Sequence, residues 1–108
     1  MKNRRKSHRF DTAFQIKYCP VESRKRFGYT IAENISRGGL CMPALSTLVK
    51  TGKLVRLEMK ESGEDAPIPA EGRVVWVRHL KRKALLNAEV GVEFTSVKSE
   101  DLAQLIPA

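Results

Sequence analysis

The chain has 108 residues, 42% of them hydrophobic and 30% charged, and carries a formal net charge of +8. That length supports one hydrophobic core and not two, and with no run of about 18 apolar residues nothing is expected to span a membrane. The charge favours an anionic partner, whether nucleotide, nucleic acid or acidic lipid, without choosing among them.

Residues 1–11 have no apolar periodicity, and Arg4-Arg5-Lys6-Ser7-His8-Arg9 gathers cations ahead of every hydrophobic segment. We expect a flexible basic arm there, ordered only when something anionic binds it, followed by a single domain over residues 12–108. The arm lacks the apolar stretch of a signal peptide, which points to the cytoplasm. Arg5 and Arg9 have the spacing RxxxR, so two guanidinium groups can close on one ligand from two sides. Each offers a planar fork of donors that matches the O6/N7 edge of guanine or two phosphate oxygens. The alternative is a solvated basic tail. His8 has no acid beside it apart from Asp11 and is read as solvated, not catalytic.

Residues 12–18 alternate, with Phe14, Ile16 and Tyr18 on one face and Gln15 and Lys17 on the other, which predicts a half-buried strand. A polar turn through residues 20–25 leads to a second alternating run over 27–32. Next comes Asn34-Ile35-Ser36-Arg37-Gly38-Gly39. Asn34 and Ser36 are two apart and share a face on extended backbone, where an amide can both donate to and accept from a base edge. Gly38 and Gly39 permit positive φ and close approach of backbone to a bound group. The alternative is an ordinary hairpin turn in which Asn34 bonds its own backbone.

Leu40-Cys41-Met42 is the strand leaving that turn, residues 43–52 form a loop, and 53–59 alternate again with Val55, Leu57 and Met59 inward. A hairpin loop over 60–69 precedes the longest strand, 70–79, whose Val74-Val75-Trp76-Val77 suggests apolar surroundings on both faces. Trp76 is therefore expected to pack in the core or under the C-terminal segment, not to stack on a base. A basic loop follows, then a last strand over 88–94 with Val90, Val92 and Phe94 inward, and a short helix capped by Ser99 with Leu102, Leu105 and Ile106 on one side. Cys19 and Cys41 are read as reduced, structural or partly exposed thiols without a metal or redox role. Six strands joined by hairpins predict an all-β fold, a six-stranded antiparallel β-barrel with a short C-terminal helix and a flexible N-terminal arm.

Taken together, Arg5-x-x-x-Arg9 and Asn34-x-Ser36-x-x-Gly39 resemble the RxxxR and [DN]xSxxG motifs of the PilZ domain, the bacterial receptor module for the second messenger cyclic di-GMP. Asn stands where many members have Asp. Gly72-Arg73-Val74-Val75-Trp76-Val77 is similar to the family's G-x-V-V-W strand, and Gly91-Val92-Glu93-Phe94 to its final strand, so the likeness runs along nearly the whole chain. The resemblance implies a non-enzymatic sensor with cyclic di-GMP as ligand, no cofactor and no metal, in which Arg5, Arg9, Asn34, Ser36 and Gly39 bind the nucleotide. Arg37 and Gly38 lie within the same turn and are weaker candidates. Arg4 is another, since an arginine at its place is associated with binding a stacked pair of nucleotides.

The output of such a sensor is a downstream protein partner, unidentified, through which motility, polysaccharide production or virulence is controlled. Two alternatives stand beside it: a PilZ-like adaptor that binds a protein and no nucleotide, and a small basic nucleic-acid-binding barrel. The second is disfavoured by an expectation that the aromatics beyond Phe10 point mainly inward. Neither paired acids nor a nucleophile-base pair emerges to support catalysis.

Overall fold

A computed structural model describes residues 14–23, 25–32, 34–61, 66–80, 86–98 and 100–101. Seven strands are present: β1 (Phe14–Pro20), β2 (Gly28–Ala32), β3 (Asn34–Ile35), β4 (Gly39–Ala44), β5 (Leu54–Glu61), β6 (Ile68–His79) and β7 (Ala88–Ser96). They form one antiparallel sheet in the order β2-β1-β5-β6-β7-β4-β3. Its two outermost strands, β2 and β3, are separated in sequence by the single residue Glu33. The chain itself thus carries one edge of the sheet over to the other, and the sheet curls into a nearly closed barrel.

In β1 and β5 the alternation read from the sequence is the alternation of burial, whereas in β2 Tyr29 and Ile31 are exposed and Gly28, Thr30 and Ala32 are buried. Along β1, Phe14, Ile16 and Tyr18 are buried, and along β5, Val55, Leu57 and Met59 are buried while Arg56 and Glu58 face outward. Each fully buried side chain of this size contributes about 1.5–3 kcal/mol. A slip of one residue in β5 would turn three such groups to water and two charges into the core, so its register is firmly set.

The loop after β4 is more than a connection. Leu48 and Val49 are buried in the core, and the Leu45 N–H donates to the Tyr18 hydroxyl at 2.9 Å. Tyr18 is only 1% exposed. Burial raises its pKa above the usual phenol value, partly offset by the Leu45 hydrogen bond. Gly28 packs on the same ring, where an added Cβ would lie 2.7 Å from Tyr18 Cζ.

Two expectations need correction. First, β6 is not apolar on both faces: its register against β7 shifts between Val74 and Trp76, and this bulge leaves Val75 and Trp76 on the outside, 44% and 40% exposed. Second, the aromatics are not mainly inward. Phe14 and Tyr18 are buried and Phe94 is half-buried against the core, but Phe27, Tyr29 and Trp76 are exposed. Phe27 and Tyr29 meet edge to face, with Lys17 Nζ 4.6 Å from the Phe27 ring centroid.

Among the described residues no helix forms an element; Glu100 and Asp101 have helical backbone, and the remainder of the expected C-terminal helix lies outside them. No described helix is long and apolar enough to cross a membrane.

Candidate functional site

The Asn34-to-Gly39 turn joins β3 to β4. Asn34 and Ser36 are exposed and Ile35 between them is buried, so the two polar side chains share the outer face as their spacing requires. Three hydrogen bonds stiffen the turn. Ser36 N–H donates to Gly39 O at 2.8 Å, Phe94 N–H of β7 donates to Gly38 O at 2.8 Å, and Gly38 N–H donates to Ser36 Oγ at 3.3 Å. Ser36 Oγ also donates to Gly39 O at 3.4 Å. Both bonds of that hydroxyl are long, so a better partner can replace them at small cost. The Asn34 side chain has no hydrogen bond among the described residues, in contrast to the self-bonded hairpin alternative.

The glycines act differently from expectation. Neither Gly38 nor Gly39 has positive φ; among the described glycines only Gly52 does, at 89°. Gly39 is required for close approach instead, because a Cβ there would overlap the Val92 carbonyl oxygen. An added Cβ at Gly38 meets nothing within 4 Å.

Cross-strand pairing extends the site well beyond the turn. Asn34 pairs with Cys41, Cys41 with Gly91, and Gly91 with Trp76, making one row across β3, β4, β7 and β6. At a strand spacing of about 4.8 Å the row spans roughly 14 Å. The next row runs Gly39, Glu93, Arg73. Asn34 and Ser36 stand at one end of this shallow trough and Trp76 at the other, with the glycines as floor. The indole lies over Gly91, at which a Cβ would overlap Trp76 Nε1. The trough thus presents a flat aromatic, an amide, a hydroxyl and exposed backbone, a surface suited to a planar polar ligand.

Its volume, about 230 Å³, is below the ordinary range for small-molecule pockets. Among the described residues lining it the single charged side chain is Glu93, and Arg37, exposed at the turn, does not line it. An anion bound here therefore needs cations and a second wall from elsewhere. Arg4, Arg5 and Arg9 lie outside the described residues, but the place from which their segment departs does not: Phe14, first residue of β1, pairs with Ala32, two residues before Asn34.

Trp76, Gly91 and Glu93 were not singled out as site residues from the sequence. Strict alternation from Ala70 through Gly72 and Val74 turns Trp76 inward, and a bulge leaves no mark in the residue pattern. Gly91 did carry a signal, since glycine inside a strand marks close approach of another group. Among the described residues no cluster of His, Cys, Asp and Glu is placed to hold a metal ion.

Compared with known proteins, the chain matches the PilZ domain over residues 3–107. Its fold is similar to that of the Bacillus subtilis inhibitor of motility (MotI/DgrA), with a TM-score of 0.68 and 21% sequence identity over 97% of this chain and 49% of that one. The chain thus spans about half the length of that protein. No curated protein matches it. The sequence match covers all but the first two residues and the last, and on that extent the chain belongs to the PilZ domain family.

Proposed function

We propose that this chain is a bacterial, cytoplasmic, non-enzymatic receptor for cyclic di-GMP that transmits the bound state to a protein partner. The nucleotide lies in the trough with a base against Trp76 and polar edges toward Asn34 and Ser36, and Arg5 and Arg9 close over it to neutralise the phosphates and grip the guanine O6/N7 edge. The observation that supports this reading is that the trough presents an exposed indole, an amide and a hydroxyl but, among the described residues, no cation, while Phe14, the first described residue after the segment that holds RxxxR, pairs with Ala32, two residues before Asn34.

Chain length permits the closure. Arg9 is five residues before Phe14, and at about 3.3–3.6 Å per extended residue it can reach roughly 17 Å from that anchor. Ordering the arm costs conformational entropy, which charge-assisted hydrogen bonds of about 1.5–3 kcal/mol each must exceed. Arg5→Ala or Arg9→Ala should therefore weaken binding by about tenfold to several hundredfold in titration calorimetry. Unchanged affinity in either variant would remove the clamp.

A second reading draws support from the outward aromatics. Phe27 and Tyr29, with Lys17 beside them, are the alternation of ring and cation that single-stranded nucleic acid uses. Oligonucleotide binding that survives Arg5→Ala but fails in Tyr29→Ala would favour it over the receptor.

A further inference from the structure

Strand β7 carries two outward carboxylates, each placed by register opposite an arginine of β6: Glu89 opposite Arg78 and Glu93 opposite Arg73. The first pair closes into an ion pair. The second does not, because the Arg73 guanidinium is turned away to donate to the Gly52 carbonyl at 3.0 Å. Gly39, the neighbour of Glu93 on its other side, has no side chain to offer. Glu93 is thus an exposed carboxylate without an ion-pair partner among the described residues, and it lines the trough.

A bare carboxylate is out of place in a site for a phosphodiester unless the ligand brings donors to it. Guanine does. Its Watson–Crick edge presents N1–H and the 2-amino group side by side, which matches the two oxygens of a carboxylate. Asn34 has one amide oxygen and can accept only part of that pattern. Adenine presents an acceptor at N1 and would face the carboxylate lone pairs unfavourably.

We propose that Glu93 is a specificity-determining residue that reads the N1–H/2-amino edge of a guanine laid against Trp76. Its charge also orients the ligand, because phosphates are repelled from the Glu93 side of the trough. This inference rests on the receptor reading above, and the test separates the two.

Calorimetry on the full chain compares wild type and Glu93→Gln with cyclic di-GMP, its inosine analogue lacking the 2-amino groups, and cyclic di-AMP. Glu93 is exposed and its carboxylate bridges no strands, so E93Q should keep the wild-type melting temperature. Wild type should prefer cyclic di-GMP over the inosine analogue by about tenfold or more, the worth of one hydrogen bond to a charged acceptor. E93Q should lose most of that preference, chiefly through weaker binding of cyclic di-GMP. If E93Q shifts both ligands by the same factor, Glu93 acts on overall charge or on the arm and the inference is overturned. A wild type that binds none of the three overturns the receptor reading and this inference together, whereas strong binding with an unchanged ratio in E93Q overturns this inference alone.

Discussion

Gly39 in the motif turn and Val92 in β7 approach so closely that a methyl group on Gly39 would overlap the Val92 carbonyl oxygen and lie 3.1 Å from Glu93 Cα. The motif glycine therefore sets the distance between the turn and the strand that carries Glu93. Gly39→Ala must push β4 and β7 apart and should cost about 1–3 kcal/mol or more, as overpacking does. Gly38→Ala, with open space around the added carbon, should be far milder. Urea denaturation of the two variants checks this; equal losses would mean that the turn's conformation, not the close approach, selects glycine.

Trp76 is the chain's single tryptophan, so its fluorescence reports on the trough alone. Cyclic di-GMP should change that emission on binding. Trp76→Ala should weaken affinity by about fivefold to 150-fold, from about 1–3 kcal/mol for stacking on one base, with a smaller loss of stability than truncation of a core aromatic, because the residue is 40% exposed. Gly91→Ala should displace the indole and reduce binding in the same direction. Binding with no fluorescence change in wild type would place the ligand elsewhere.

Tyr18 links β1 to the loop that carries Leu48 and Val49. Tyr18→Phe keeps the ring but leaves the Leu45 N–H without its acceptor, at about 1–3 kcal/mol. The phenol also makes stability depend on pH. Its pKa in the folded chain is raised by burial, so the unfolded chain loses the proton first; the contribution is complete below about pH 10 and is lost as pH rises through the folded value. Thermal melts of wild type should decline across that alkaline window, and Y18F should decline less steeply. Parallel declines would show that Tyr18 is not the group responsible.

Arg4 precedes the RxxxR motif, a position that in similar domains is associated with a stacked pair of nucleotides. Two cyclic di-GMP molecules per chain are expected by calorimetry, and one per chain in Arg4→Ala. A wild-type stoichiometry of one would dissociate Arg4 from the site.

The period-2 runs of residues 12–18, 53–59 and 88–94 were enough to identify β1, β5 and β7 and their inward faces, because alternation follows from the strand backbone itself and one face had to be apolar. The run over 27–32 located β2 but not its inward face, since Tyr29 and Ile31 are exposed and the smaller Gly28, Thr30 and Ala32 are buried. The turn motif was legible for a related reason, since its residue types act over a span of six positions. The tertiary structure alone decided the rest. It paired β6 with β7, β7 with β4 and β4 with β3, so Asn34 and Trp76 share a row although they are 42 positions apart in the sequence. It placed a bulge at Val74 that turned Trp76 outward against the alternation, and it drew Arg73 to Gly52, leaving Glu93 free to face the trough. Register, curvature and bulges arise from pairing between distant segments, and no local pattern of residues encodes them.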